Sequence, residues 1–242
     1  MERNVTDWQS LSDEVTGLLG LEHAPVAVSF LEEEPVVLPR FDAPMSEPTL
    51  DGRTGRVPAG CVFWIHGHES SFVTLPEDHG NCSVGRYTHG LAPAEEIVDQ
   101  ADVATLLDAG WVTMEAFASV AKLSRRPAAI GYGPLAEAVA QPDLVLLRLD
   151  PRQMMELADA APDVRYLGKP QCQILPVAAE EGVIAASMGC ALSRARTGMG
   201  DGELTCAVPG HRMVELVERL RSVCRADQEV VGYAVEDRAR FE

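Results

Sequence analysis

The chain has 242 residues, 46 % hydrophobic and 24 % charged, which is enough apolar material to bury a core without disulfides or bulk metal and excludes disorder as a whole. Twenty glycines and 16 prolines are near average usage and follow no three-residue period, so a collagen-like or low-complexity chain is excluded too. A formal net charge of −17 repels phosphate backbones and anionic lipid surfaces, and neither nucleic acid nor a membrane is expected as a partner.

Trp8, Leu11, Val15 and Leu18 recur at helical spacing behind Thr6 and Asp7, which predicts an amphipathic helix over 6–19. Pro25-Val-Ala-Val-Ser-Phe30 reads as a buried strand. Five prolines and two glycines between 35 and 58 predict a long surface loop or arm. Residues 60–68 fit strand or helix and 71–75 a strand, while 76–91, rich in Gly, His and Asn around Cys82, is the first candidate site. Helices are predicted over 94–107, opened by Pro93, and over 114–123. The second half opens with residues 126–132 and the apolar strand 144–149, after which Asp150-Pro151 supplies an N-cap and a first-turn proline for a helix to about 160. Lys169-Pro-Gln-Cys172, a short helix, a strand near 183–186 and a turn-rich stretch over 188–202 come next. Leu204, Cys206 and Val208 alternate as one face of a strand, and Met213, Val217, Leu220 and Cys224 stripe a helix from about 210 to 225.

No apolar run reaches the ~18 residues that span a bilayer, and the first fifteen residues lack the basic and apolar regions of a secretory signal. A cytoplasmic protein is expected. In that compartment six cysteines read as buried, metal-binding or reactive thiols rather than as a disulfide frame.

The chain repeats itself. Cys82-Ser-Val-Gly-Arg86-Tyr-Thr-His-Gly90-Leu91 aligns with Cys190-Ala-Leu-Ser-Arg194-Ala-Arg-Thr-Gly198-Met199, sharing a cysteine, a small residue three on, an arginine four on and a glycine eight on. A second cysteine precedes each copy, Cys61 by 21 residues and Cys172 by 18. Upstream, residues 25–30 match 127–132 in the same order. These matches predict an α+β protein of two pseudo-equivalent α/β repeats with mixed sheets and helices. The first is residues 1–112, with the Pro-rich arm, and the second 113–242, packed about a pseudo-twofold axis as one compact unit. Equivalent residues near such an axis approach one another, so Cys61, Cys82, Cys172 and Cys190 are expected to converge. Cys206 and Cys224 sit on apolar faces and read as small core residues.

The same segments, with Leu18-Leu-Gly-Leu, Gly60-Cys61, Asp143-Leu-Val-Leu, Gly168-Lys-Pro-Gln-Cys172, Ser187-Met-Gly-Cys190 and Glu203-Leu-Thr-Cys-Ala-Val-Pro209, resemble the domain-of-unknown-function family 169, a set of uncharacterised prokaryotic proteins. The resemblance implies recurring cysteines and Gly/Ser-Arg motifs in a cytoplasmic protein, and it carries no established reaction. Cys206 lies inside the last of these segments without being one of the recurring motif cysteines, and Cys224 and the histidine-rich Ile65-His-Gly-His68 fall outside them.

Four convergent thiolates are the donor set of an iron–sulfur cluster, [4Fe–4S] ahead of [2Fe–2S], with Cys61, Cys82, Cys172 and Cys190 as ligands. Arg86 and Arg194 would offset the charge of a thiolate-ligated cluster or steer an anionic substrate. The spacing matches neither compact ferredoxin runs nor Cys-x-x-Cys pairs, so the site is dispersed. Zinc or haem iron is the alternative cofactor, with His66, His68 and His79 as further candidate ligands. A thiol nucleophile at Cys82 or Cys190, with His79 or His89 as base, needs no metal, and neither does a duplicated scaffold that binds an anion through the two arginines. The function expected from the first reading is redox or lyase chemistry on a small, anionic molecule, with an electron-transfer partner and a homo-oligomer as further expectations.

Overall fold

The computed structural model describes residues 6–42, 60–238 and 240–241; most of the expected arm, 43–58, lies outside them. The chain opens with α1 (Trp8–Leu19), whose N-cap Asp7 accepts from the Ser10 amide at 3.0 Å and whose end is turned by Gly20 at φ 66°. Strand β1 (Val26–Leu31) follows, then α2 (Gly60–His66), which settles the ambiguous 60–68 stretch as a helix. Next come β2 (Phe72–Thr74), α3 (Ser83–Thr88), α4 (Ala94–Ile97), α5 (Ala101–Asp108) and α6 (Met114–Ala118). The single helix expected over 94–107 is thus two, because the chain leaves helical geometry before Gln100, the N-cap of α5.

The rest of the chain comprises β3 (Ala129–Pro134), β4 (Leu144–Leu149), α7 (Pro151–Ala160), β5 (Arg165–Leu167), α8 (Ile174–Glu181), β6 (Ala185–Ser187), α9 (Ala191–Thr197), β7 (Leu204–Pro209) and α10 (Met213–Arg238). Asp150 and Gln153 form a reciprocal capping box on α7, with Pro151 in the first turn. Helix α10 runs thirteen residues past its expected end, and beyond Cys224 its surface carries exposed Val230, Val231, Tyr233 and Val235.

The described strands form one sheet in the order β2-β3-β1-β4-β7-β6-β5, a mixed sheet in which only β5 and β6 are parallel. The fold class is α+β. Val26 through Leu31 pair with Pro134 through Ala129, and Leu144 through Leu149 pair with Pro209 through Leu204. At the centre β1 and β4 meet antiparallel, with Ala27 opposite Val145. The two outer strands attach alike: Phe72 and Thr74 oppose Tyr132 and Ile130, while Ala185 and Ser187 oppose Ala207 and Thr205.

Period-2 alternation divides the core between the two faces of this sheet. Val145, Leu147, Leu149, Leu204, Cys206 and Val208 face a layer made by α1, α7 and α10, to which Cys224 also belongs. Val26, Val28, Ile130, Tyr132, Leu144, Leu146 and Ala207 face the opposite layer, where Phe63 and Trp64 of α2 and Ile174, Leu175 and Val177 of α8 pack. A third apolar cluster, Val84, Tyr87, Ile97, Val103 and Phe117, joins α3 to α4, α5 and α6. The second layer carries the candidate site. No helix among the described residues is long and apolar enough to cross a membrane.

Candidate functional site

Each of the four repeat cysteines stands at the start of a helical segment. Cys61 is the second residue of α2, and Cys172 is the middle of the short 3-10 turn Gln171–Gln173 that runs straight into α8. Cys82 and Cys190 are the N-caps of α3 and α9, and each sulfur accepts from the amide three residues on, Gly85 N and Ser193 N, at 3.4 Å. This geometry explains the repeated motif in physical terms. The residue three after the cysteine is small because its backbone must lie against the sulfur: a methyl on Gly85 would already sit 3.4 Å from Cys82 Sγ. The glycine eight after it ends the helix in the left-handed region, Gly90 at φ 68° and Gly198 at φ 64°. The aliphatic residue after that glycine, Leu91 or Met199, is buried.

The four cysteines line one cavity. Gly60, Gly85, His89, Trp111, Gln171 and Arg196 share its wall. Trp111 carries the Lys169 ammonium 4.5 Å from its ring centroid. Gln171 donates to Thr205 Oγ1 at 2.6 Å, while its own Oε1 is buried without a partner among the described residues. Ser83 ties the start of α3 to Asp102, from its amide at 2.9 Å and its hydroxyl at 2.7 Å, which anchors Cys82 beside α5.

The arginines of the repeat do not reach this cavity. Arg194 donates to three backbone carbonyls, of Met188, Gly200 and Glu203, and laces together the loops on either side of α9. Arg86 lies 4.0 Å from Glu96, with its Nε buried and unpartnered. The cation at the wall is Arg196, two residues beyond Arg194 on another side of α9. Burial pulls its pKa down, but the charge of Cys82, a hydrogen bond to that sulfur and the charges of Cys61 and Asp102 outweigh the pull and hold it above the ordinary value.

Burial governs the thiols. It pushes Cys61 up to about 12, with repulsion from Cys82 and Cys190 adding to it and Arg196 opposing. Cys172 is pushed well above the ordinary thiol range by burial first and by Cys82 next, against a hydrogen bond from Thr88. Left to themselves these two are neutral thiols, since burial disfavours the thiolate and each neighbouring thiolate repels the next. Among the described residues, no three His, Cys, Asp or Glu side chains are gathered closely enough to hold one metal ion.

The histidines part company. His66 packs against Phe41, with ring centroids 5.1 Å apart, and His68 contacts the Ala24 carbonyl beside His23; neither lines the cavity of the four cysteines, although His68 shares a second, smaller pocket with Cys61. The strand alternative would have put both on one face, but the segment is a helix ending at His66. His89 lines the cavity, and His79 lies behind it, ring centroids 5.4 Å apart. Sequence reasoning missed Trp111, Gln171 and Arg196. Only Gln171, adjacent to Cys172, and Arg196, inside the second copy of the motif, carried a signal of any kind.

No curated protein and no solved structure matches the chain. Residues 14–219 match the family DUF169, described as Uncharacterised ArCR, and the chain belongs to that family.

Proposed function

We propose that Cys61, Cys82, Cys172 and Cys190 ligate an iron–sulfur cluster, [4Fe–4S] ahead of [2Fe–2S], and that the protein performs redox or lyase chemistry on a small anionic molecule steered by Arg196. The observation that carries this reading is that four cysteines from four different helical segments line a single cavity. An iron–sulfur cluster supplies an electron reservoir or a Lewis-acidic iron. The chain supplies the thiolates, the Arg196 guanidinium against their charge, and an apolar wall including Val84 and Leu192 that excludes water.

The same proposal takes the cavity to lie between two pseudo-equivalent halves, β1-α2-β2-α3-β3 and β4-α8-β6-α9-β7. The strand order supports it, running outward from the centre as β1-β3-β2 on one side and β4-β7-β6 on the other. So do the registers, since Val26 opposite Pro134 corresponds to Leu144 opposite Pro209, and Phe72 opposite Tyr132 to Ala185 opposite Ala207. In this reading Cys61 corresponds to Cys172 and Cys82 to Cys190. The seam falls between β3 and β4 rather than at residue 112, and β1 corresponds to β4 rather than to its sheet neighbour β3.

The test is an optical spectrum with iron, acid-labile sulfide and zinc analysis on protein purified without oxygen. A brown protein with iron matched by sulfide is the expected result. A sharp Soret band, zinc without colour, or a colourless metal-free protein overturns the cluster in favour of haem, a zinc site or a metal-free ligand cavity respectively.

A further inference from the structure

Gly60 has no side chain where two buried imidazoles meet. A methyl at that position would sit 3.5 Å from His79 Nδ1, 3.5 Å from His89 Nε2 and 3.3 Å from His89 Cε1. His79 is 1 % exposed and His89 is fully buried, and among the described residues those same two nitrogens have no hydrogen-bond partner.

The opposite nitrogen of each ring is engaged. His89 Nδ1 lies 2.7 Å from the Gly85 carbonyl oxygen, which can only accept, so Nδ1 carries the proton and Nε2 a bare lone pair. His79 Nε2 lies 2.9 Å from Thr74 Oγ1, which also lies 3.3 Å from the Ile130 carbonyl oxygen; with the hydroxyl donating to that carbonyl, Nε2 carries the proton and Nδ1 is bare, and this is the tautomer the inference takes. Burial, the neighbouring His89 and Arg86 hold His79 well below the ordinary imidazole range, and burial holds His89 at about 4. Both rings are neutral at pH 7, and in each the nitrogen without a partner among the described residues lies 3.5 Å from the point a methyl on Gly60 would occupy.

A buried acceptor without a donor costs ~1–3 kcal/mol, and two converging on one point call for a group that supplies two hydrogens. A metal ion needs at least a third protein ligand to be held, and among the described residues no such group of three exists. The geometry points to His79 and His89 as a paired acceptor site at the Gly60 end of the cysteine cavity, binding a double hydrogen-bond donor: the NH2 of an amide or amine, or a water. The inference stands on the two imidazoles and Gly60 and does not depend on what the cysteines hold. Joined to the reading above, it narrows the substrate to a small molecule that carries an NH2 group as well as an anionic group for Arg196.

The test is long-range hydrogen–nitrogen correlation NMR on the full-length protein labelled with nitrogen-15 in histidine, at neutral pH. The expected spectrum shows His79 protonated on Nε2 and His89 on Nδ1. The two remaining nitrogens are shielded as hydrogen-bonded acceptors, and Gly60→Ala, which fills the shared space, shifts both to the bare-acceptor position. Added acetamide that moves both resonances assigns the site to an NH2 group, and resonances that respond to Gly60→Ala but not to acetamide assign it to a water. A proton on His79 Nδ1 or His89 Nε2, or acceptor resonances indifferent to Gly60→Ala, overturns the proposal. Should Gly60→Ala fail to fold, the tautomers in the unaltered protein still decide it. Iron and sulfide analysis reads none of these resonances, so failure of the cluster and failure of this site are separate results.

Discussion

Cys82 Sγ accepts from the Gly85 amide at 3.4 Å, so the first sulfur of the repeat is a helix cap before it is anything else. Cys190 holds the same relation to Ser193, with the Ser193 hydroxyl accepting in return from the Cys190 amide at 2.9 Å. A sulfur pinned in this way points into the cavity at no further entropic cost when a ligand arrives. Replacing either cysteine by serine preserves the cap, since a hydroxyl is the better acceptor, while removing the soft donor. Cys82→Ser and Cys190→Ser are therefore expected to stay folded and, under the cluster proposal, to lose most of the iron, as are Cys61→Ser and Cys172→Ser. Cys206→Ser and Cys224→Ser, in the layer on the other side of the sheet, are expected to keep it. Metal analysis beside circular dichroism checks all six.

Cys206 also separates stability from metal. Its side chain is fully buried between apolar residues, where a serine hydroxyl has no ready partner. Cys206→Ser should lower unfolding stability by about 1–3 kcal/mol, read as a shift of the urea midpoint, with iron content unchanged. A loss of iron without a loss of stability would place Cys206, against its position, in the metal site.

Arg194 and Arg196 make opposite predictions. Arg194→Gln gives up charged hydrogen bonds to the Met188, Gly200 and Glu203 carbonyls and should cost about 2–3 kcal/mol of stability. Arg196→Gln removes the one guanidinium that the described residues place at the cavity wall, so it should leave the urea midpoint nearly unchanged while weakening anion binding, measured as protection of the cysteines from alkylation by added small carboxylates.

The distance between those two arginines shows where sequence reading stops. The alignment of Arg86 with Arg194 is sound, and so is the cap-to-glycine span it belongs to, because caps and left-handed glycines leave residue-type marks. Which arginine faces the cavity depends on helix phase, and Ala-Leu-Ser-Arg-Ala-Arg-Thr carries no 3.6-residue apolar stripe to set that phase. For the same reason α9 reads as a turn-rich stretch. Strands β1, β4 and β7 are readable because their residues alternate or run apolar between two covered faces, whereas β5 is three residues with Arg165 and Tyr166 exposed, and nothing in its composition marks it. The cysteines could be grouped from the repeat alone. His79 and His89 could not, because what pairs them is the missing side chain of Gly60.

Raising the pH should destabilise the metal-free protein. Cys61 has its pKa raised from 9.0 to about 12 in the folded chain, and Cys172 and Cys206 are raised too. A thiol that ionises less readily when folded contributes stability that is fully present below its unfolded pKa and is lost as pH rises from that value through the folded one. The urea midpoint should therefore hold steady below pH 9 and fall above it. Metal affinity should run the other way, tightening with pH because each thiol must surrender its proton to bind. A midpoint that rises above pH 9 would mean the thiols are ionised in the folded state, as the wall of a charged site without its metal.

The two helix-ending glycines are equivalent in backbone and unequal in surroundings. Both Gly90 and Gly198 lie in the left-handed region, where any side chain costs ~1–2 kcal/mol. Around Gly198 an added methyl meets nothing within 4 Å, whereas at Gly90 it would lie 3.0 Å from the Leu123 carbonyl oxygen and 3.1 Å from that of Arg125. Gly198→Ala should cost about 1 kcal/mol in urea unfolding and leave the cavity alone. Gly90→Ala should cost clearly more, because backbone at 3.0 Å yields only by moving the Leu123 amide, which itself donates to the Thr88 carbonyl at the end of α3. That movement would carry His89 with it, so Gly90→Ala, unlike Gly198→Ala, should also disturb the His79 and His89 resonances. Equal costs for the two variants would mean that the 123–125 segment gives way freely and does not brace the cavity.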